Sequence, residues 1–177
     1  MEEILKERGT FDNPYEGLFD WLIEIEGEAA MVLFLMDEED VKHVLSNPLS
    51  SVISDSWVTA PYAGGKPHPR AYGTFPRVLG KYVREEKLLS LEEAIRKMTS
   101  QPAGKVRLKD RGLIKEGFWA DLVIFDPETI IDKATYQDPH QYPEGIDYVI
   151  VNGQITVDHN KLTGKRAGKV IKKAYEE

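Results

Sequence analysis

The sequence has 177 residues, no cysteine, 30 acidic and 23 basic side chains, and a formal net charge of −7. This length allows one well-cored domain, or a small domain with part of another. The acidic balance argues against nucleic acid as the main partner, the lack of cysteine excludes disulfides and thiolate metal ligands, and no apolar run approaches the roughly 20 residues of a membrane span.

The amino-terminal residues predict a helix and give little information about function. Residues 1–10 mix charges without an apolar stretch, which predicts a cytoplasmic protein that binds no membrane. A helix is expected from Pro14, with Asn13 as its cap. Its apolar residues repeat at helical spacing, so they are expected to face a core: Tyr15, Leu18, Phe19, Leu22 and Ile23.

A strand, a helix and a second strand are predicted next. Ala29–Leu35 is a continuous apolar run, typical of a strand buried on both faces. Asp37 is expected to cap a helix that ends at Asn47, and Ser51–Ser54 to form a short strand leading into Asp55. This order predicts a βαβ unit of a parallel α/β fold, in which functional residues gather at the carboxyl ends of the strands.

A long loop and two helices follow. Gly, Pro and aromatic residues dominate 56–74, and loops of this length are often functional. Thr74 is predicted to cap a helix, and Ser90 with Glu93 predicts a capping box for the next helix, which should end at Pro102. The inner face of the first of these helices is predicted to contain Phe75, Val78, Leu79, Tyr82 and Val83.

The second half of the chain has the periodicity of β-structure. Leu122–Phe125 and Tyr148–Val151 are predicted strands, and Asn152-Gly153 predicts a type I′ hairpin turn. We place a domain boundary near Lys105, which divides the chain into residues 1–104 and a β-rich part, 105–177.

Asp55 is the first candidate for chemistry. A carboxylate at the carboxyl end of a strand can bind a metal or act as the base for an activated water. The same position also suits an Asp that caps a loop or turn, and spacing alone does not separate the two interpretations.

His68 and Arg70 are the second candidates. They could present an imidazole and a guanidinium to an anionic substrate, because Arg matches a planar carboxylate. A loop stabilised by Arg hydrogen bonds explains them equally. We interpret the other histidines as structural or exposed: His43, His140 and His159. The sequence contains no H-x-H, no H-E-x-x-H, no phosphate-binding Gly loop and no G-x-S-x-G, so it completes neither a zinc site nor a serine hydrolase triad.

Two stretches resemble one known family. The first is Ser54-Asp55 followed by the HPR-x-x-GTFPRVLG pattern of His68–Gly80, and the second is Gly112–Asp126. Together with Leu91–Pro102 and Asp138–Gly153, they closely resemble the N-acyl-D-amino-acid deacylases (D-aminoacylases) of the amidohydrolase superfamily. The second stretch is common among amidohydrolases, whereas the HPR loop points to the deacylase branch.

The resemblance implies a fold and a role for Asp55. It implies the last βα units of an incomplete (β/α)8 TIM-type barrel, followed by a small β-sandwich portion. Asp55 matches the Asp that activates the water at the zinc ion and relays its proton to the leaving amine. It therefore stands as both a catalytic and a metal-binding residue, with His68 and Arg70 as substrate-binding residues. The remaining zinc ligands of the family have no match in this sequence.

These features favour a zinc-dependent amide hydrolase, and more than one functional hypothesis stays open. The first is the carboxyl-terminal part of a deacylase that acts on an N-acyl-D-amino acid or a similar small amide, together with a complementary barrel chain. The second is a non-catalytic remnant or assembly subunit, such as a homo-oligomer. A different amidohydrolase specificity, for example for cyclic amides, is a third.

Overall fold

The computed structural model describes residues 2–10, 12–28, 33 and 35–171. The chain divides into two compact units, Met1–Leu35 and Met36–Glu177. No helix among the described residues is both long enough and apolar enough to cross a lipid bilayer.

The first unit contains helices α1 (Glu2–Glu7) and α2 (Pro14–Glu24). The helix predicted from Pro14 is confirmed, but the Asn13 side chain does not cap it and instead donates to the Glu16 carboxylate at 2.5 Å. The apolar stripe of α2 does not face a core within this unit, because two short helices offer too little surface to cover it. The exposed members, at 62–77%, are Tyr15, Phe19 and Ile23. The strand predicted for Ala29–Leu35 lies largely outside the described residues.

Helix α3 (Glu38–Ser46) begins the second unit as predicted. The Asp37 side chain accepts a hydrogen bond from the backbone N–H of Glu39 at 2.8 Å, the usual contact of an N-cap. The helix ends at Asn47, and its apolar side packs against the core of this unit through Val41 and Leu45.

The strand predicted for Ser51–Ser54 is not formed. A parallel strand needs a neighbouring strand, and the described residues place none beside this segment. The N–H of Val52 instead donates to the carbonyl oxygen of Lys97 at 3.1 Å. The described residues therefore contain no parallel βαβ unit, and their fold is mixed α/β with a small antiparallel sheet.

A nearly continuous helical segment forms the centre of the second unit. A 3₁₀ turn at Pro61–Ala63 precedes α4 (Arg70–Arg77), which continues into a π-helix, Val78–Glu85. The prediction that Thr74 caps a helix is wrong, because the helix already begins at Arg70 and the Thr74 hydroxyl donates to the Arg70 carbonyl at 2.9 Å. The core around this segment contains Val78, Leu79, Tyr82, Ala94 and Ile130.

Helix α5 (Leu91–Met98) has the predicted cap, with the Ser90 hydroxyl accepting from the Glu93 N–H at 3.2 Å. Helix α6 (Ser100–Lys105) then runs through Pro102, so the prediction that Pro102 ends the helical region is wrong. Proline is tolerated in a first helical turn, where the backbone N–H has no partner within the helix.

The β-rich region is confirmed. Its described strands are β1 (Leu122–Phe125), β2 (Ile146–Val151), β3 (Gln154–Asp158) and β4 (Lys161–Leu162). They form an antiparallel sheet in the order β1-β2-β3-β4. The Asn152-Gly153 turn has φ values of 48° and 78°, as the predicted type I′ hairpin requires.

Gly80 marks the closest approach between the π-helix and the segment before the sheet. A Cβ at this position would lie 2.6 Å from the Ile130 carbonyl oxygen and 2.5 Å from Ile131 Cδ1. We expect Gly80→Ala to lower the free energy of unfolding by about 1–3 kcal/mol, measured by urea denaturation, because the backbone must shift. The matched control is Gly104→Ala in α6, where the new Cβ meets nothing within 4 Å. Equal stability of the two variants would contradict the expectation.

Candidate functional site

Asp55 and Arg70 lie together in the structure. Oδ2 of Asp55 is 2.9 Å from Nη2 of Arg70, and the Asp55 side chain is 73% exposed. Asp55 has a φ of 45°, a left-handed conformation that Asp tolerates better than most residues. The segment after α3 and the first turn of α4 thus bring the predicted catalytic carboxylate and the predicted substrate-binding guanidinium into contact.

Lys97 fixes the segment that leads to Asp55. Its side chain is fully buried, and Nζ donates to the carbonyl of Asn47, to the carbonyl of Ser50 at 3.2 Å and to the Ser50 hydroxyl at 3.0 Å. Burial lowers the pKa of Lys97, and the nearby Glu93 carboxylate partly opposes this. This role of Lys97 could not be predicted from the sequence, because helical periodicity carries no information about which loop packs on a helix.

His68 contacts the first residue of α4. Its Nδ1 accepts a hydrogen bond from the Arg70 backbone N–H at 3.1 Å, so in the neutral ring the proton must lie on Nε2. That nitrogen is 3.3 Å from the hydroxyl of Tyr136, and the two rings pack edge to face with centroids 5.1 Å apart. Burial lowers the pKa of His68, and the positive charge of Arg70 lowers it further. The predicted residue His68 therefore lies beside Arg70.

His140 forms a second contact with the same loop. Its Nε2 donates to the Gly65 carbonyl at 3.1 Å, and its Nδ1 is 2.9 Å from the hydroxyl of Tyr72. Burial raises the pKa of Tyr72, which also contacts the side chain of Thr59. His140 was predicted to be structural or exposed, and neither Tyr72 nor Tyr136 was among the predicted site residues. The signal that could have drawn attention to them was the family-like segment around His140.

The donor set fits only part of a zinc site. The Asp55 carboxylate is exposed and is a suitable zinc ligand. Both ring nitrogens of His68 and of His140 face the hydrogen-bond partners given above. Within the described residues, no three His, Cys, Asp or Glu side chains come together as a metal-binding group. Asp55 therefore suits one ligand position of such a site, and the described residues place no complete ligand set around a metal ion.

A large cavity lies beside this cluster, with Tyr72 among its walls. It has a volume of about 890 Å³, is mainly apolar and lies between the helices and the sheet of the second unit. Neither Asp55, His68 nor Arg70 lines it, so its shape gives no information about the chemistry of these residues. Its walls include Phe75, Leu79, Ile95, Leu122 and Phe125.

The shift of the His68 pKa can be tested by NMR titration. We expect Arg70→Gln to raise this pKa only part of the way to its ordinary value, because burial is the larger cause. Arg70→Lys keeps the charge and is the matched control, with the pKa remaining low. Since the unfolded chain binds this proton at a higher pH than the folded chain, the free energy of unfolding should fall as the pH drops below about 6.5. Equal pKa values of His68 in the two variants would contradict the contribution of the Arg70 charge to the lowered pKa.

Comparison with known proteins identifies the family. The model of the "Amidohydrolase family" matches residues 13–157. An N-acyl-D-aspartate deacylase of Alcaligenes xylosoxydans xylosoxydans is 45% identical over 81% of this chain and 28% of its own length. A crystal structure of D-aminoacylase superposes with a TM-score of 0.80 and 40% identity, covering 96% of this chain and 33% of the other.

A further similar structure was solved with ligands. It is an N-acyl-D-glutamate deacylase from Bordetella bronchiseptica, complexed with zinc and a phosphonate mimic of the tetrahedral intermediate. It is 43% identical, with a TM-score of 0.64 over 70% of this chain and 25% of the other.

The chain belongs to the amidohydrolase family. Within it, the resemblance to the N-acyl-D-amino-acid deacylases that the HPR loop predicted is confirmed. The chain spans about a third or less of the length of these relatives.

Proposed function

We propose that this chain supplies the proton-transfer and substrate-binding side of a zinc-dependent N-acyl-D-amino-acid deacylase. The reaction would convert an N-acyl-D-amino acid and water to a carboxylate and a free D-amino acid. The observation that carries the proposal is the 2.9 Å contact between Asp55 and Arg70, which joins a proton carrier to a binding group for a carboxylate. The names of the similar proteins support the substrate class.

Each of the two residues has a defined task in this proposal. Asp55 accepts a proton from the attacking water and passes it to the nitrogen of the leaving amine as the C–N bond breaks. Arg70 binds the carboxylate of the amino acid. Its guanidinium has five N–H donors, so a contact with Asp55 leaves capacity for a second carboxylate. Zinc, held in part by Asp55, would supply the Lewis acid that activates the water.

The rest of the site would come from polypeptide outside this sequence. We propose that residues 1–104 contribute the last units of a (β/α)8 barrel and that residues 105–177 contribute a β-sandwich portion. A complementary barrel chain would bring the remaining zinc ligands, and the chain alone would be inactive. A cytoplasmic location stays a prediction.

Reconstitution tests the proposal. The chain should be mixed with a protein that carries the remaining barrel strands of a D-aminoacylase, and hydrolysis of N-acetyl-D-amino acids should be measured with zinc. We expect zinc-dependent release of the D-amino acid by the mixture and none by either component. A stable complex without zinc-dependent hydrolysis would refute the proposal.

Exposed apolar surface favours a second candidate function, a non-catalytic assembly subunit. In the first unit, the α2 stripe is exposed at Tyr15, Phe19 and Ile23. Apolar surface of this kind promotes association. Sedimentation across a wide concentration range distinguishes the candidates, because an assembly subunit should form oligomers at low concentration without zinc. A monomer throughout would exclude this second function.

A further inference from the structure

Two tyrosine–histidine pairs involve the substrate loop (residues 56–69) and the clamp segment (residues 135–142). In the first pair, the Tyr136 hydroxyl of the clamp segment is 3.3 Å from Nε2 of His68 in the loop. In the second, His140 of the clamp segment is 2.9 Å from the Tyr72 hydroxyl of α4 and donates from Nε2 to the loop carbonyl of Gly65 at 3.1 Å. The clamp segment therefore holds the loop at two points close to Arg70.

The clamp segment is itself well ordered by local hydrogen bonds. The Thr135 N–H donates to the Asp138 carbonyl at 3.0 Å, and the Asp138 N–H donates back to the Thr135 hydroxyl at 2.9 Å. The Gln141 side chain donates to the Asp138 carboxylate at 2.7 Å. Immediately before the segment, Asp132 packs so closely on α4 that a Cβ at Gly73 would lie 2.9 Å from Asp132 Cβ. The clamp segment is thus supported by its own hydrogen bonds, and the residue Asp132 just before it packs on α4.

The support extends to Arg70 through His68. The ring of His68 contacts Tyr136 on one side and accepts the Arg70 N–H on the other, and the Arg70 guanidinium then contacts Asp55. A chain of hydrogen bonds therefore runs from Tyr136 of the clamp segment through His68 to the backbone N–H of Arg70, the residue that carries the guanidinium. Precise placement of a binding group is the usual purpose of such supporting contacts.

We propose that Tyr136 and His140 are positioning residues for the substrate loop. Tyr136 holds His68 and, through it, the start of α4 and the place of the Arg70 guanidinium. His140 holds the loop at Gly65 and α4 at Tyr72. The inference rests on the proposed function for its consequence in substrate binding, but the positioning itself can be measured without hydrolysis. The clamp segment lies in the β-rich part of the chain, so that part contributes to the site as well as to the fold.

The sheet offers a matched control of the same chemistry. Tyr148 and His159 form a third tyrosine–histidine pair, with a hydroxyl to Nε2 distance of 3.4 Å and ring centroids 4.7 Å apart. Tyr136→Phe and His140→Ala are the test variants, and Tyr148→Phe and His159→Ala are the controls. The two phenylalanine variants keep ring packing and remove only a hydroxyl.

Hydrogen exchange of the Arg70 N–H in the full chain, followed by NMR, is the direct measurement. We expect exchange to accelerate about fivefold in each test variant, the factor that corresponds to one ordinary hydrogen bond, and to stay unchanged in both controls. His140→Gln keeps a donor near the Gly65 carbonyl and should restore most of the protection. Unchanged exchange in Tyr136→Phe and His140→Ala would overturn the proposal.

Kinetics of the reconstituted complex provide the second measurement. Loss of positioning should raise KM for an N-acetyl-D-amino acid about fivefold in the test variants with a smaller change in kcat, since it weakens ground-state binding. Equal KM values in test and control variants would also overturn the proposal. If the unaltered complex hydrolyses nothing, the proposed function fails, and the hydrogen-exchange result alone decides the positioning role.

Discussion

Replacing Asp55 by Asn is expected to lower kcat of the reconstituted deacylase by about 100- to 10,000-fold, the usual contribution of a general acid–base group. The amide has nearly the shape of the carboxylate but cannot accept the proton of the attacking water. It also weakens zinc binding, so the assay should include a zinc titration. The rate should stay low at saturating zinc, because proton transfer is lost as well as a ligand.

Asp158→Asn is the matched control for this substitution. Asp158 is also an exposed carboxylate in an ion pair, with Nδ1 of His159 at 2.7 Å, but it lies on the sheet. We expect its kcat to equal that of the unaltered chain. A full rate in Asp55→Asn at saturating zinc would remove Asp55 from the mechanism, whereas a low rate in both variants would indicate a defect in assembly.

The elements with strong local signals were predictable from the sequence. Helix α3 has an Asp cap, α5 has a Ser-x-x-Glu capping box, and the hairpin has an Asn-Gly turn. Each depends on contacts between residues two to four positions apart, which the sequence displays directly. The start of α4 was predicted wrongly for a related reason. The N-cap residue there is Pro69, which has no capping side chain, whereas sequence rules expect Ser, Thr, Asp or Asn.

The failed strand at Ser51–Ser54 shows the limit of apolar patterns. Such a run predicts burial, but a strand also needs a partner for its backbone groups. In this structure the partner of Val52 is the carbonyl of Lys97 in α5. Which segment provides that partner depends on the whole fold, and the local sequence does not contain it.

The candidate site also contains residues that were predicted from the sequence and residues that were missed. Asp55 was selected from its position after a predicted strand and Arg70 from its chemistry, the family resemblance then gave both a role, and the structure places them in contact. His140 and Tyr136 were missed, because their partners are 75 and 68 positions away in the sequence. A lone histidine gains a defined role only when its hydrogen-bond partners are known.

Lys97→Met is expected to lower the free energy of unfolding by about 3 kcal/mol, because it removes three hydrogen bonds that a buried ammonium donates. Lys97 is the fully buried cation that donates to the backbone of Asn47 and Ser50. Removing the buried charge recovers some desolvation energy, but the Ser50 carbonyl and hydroxyl lose a charged donor. The Asn47 carbonyl still accepts from the Ser50 N–H and hydroxyl. Urea denaturation of the full chain gives the value.

Lys105→Met is the control that distinguishes the effect of losing a buried lysine from the effect of losing an exposed one. Lys105 also donates to this turn, at the Leu49 carbonyl with a distance of 2.5 Å, but its side chain is exposed. Water can replace that donor, so we expect a loss below about 1 kcal/mol. Lys97→Met should in addition speed hydrogen exchange of the Val52 N–H, since the turn that Lys97 holds leads directly to Val52 and Asp55. Equal losses of stability in the two variants would mean that the buried ammonium does not fix this segment, and the placement of Asp55 would then depend on its contact with Arg70.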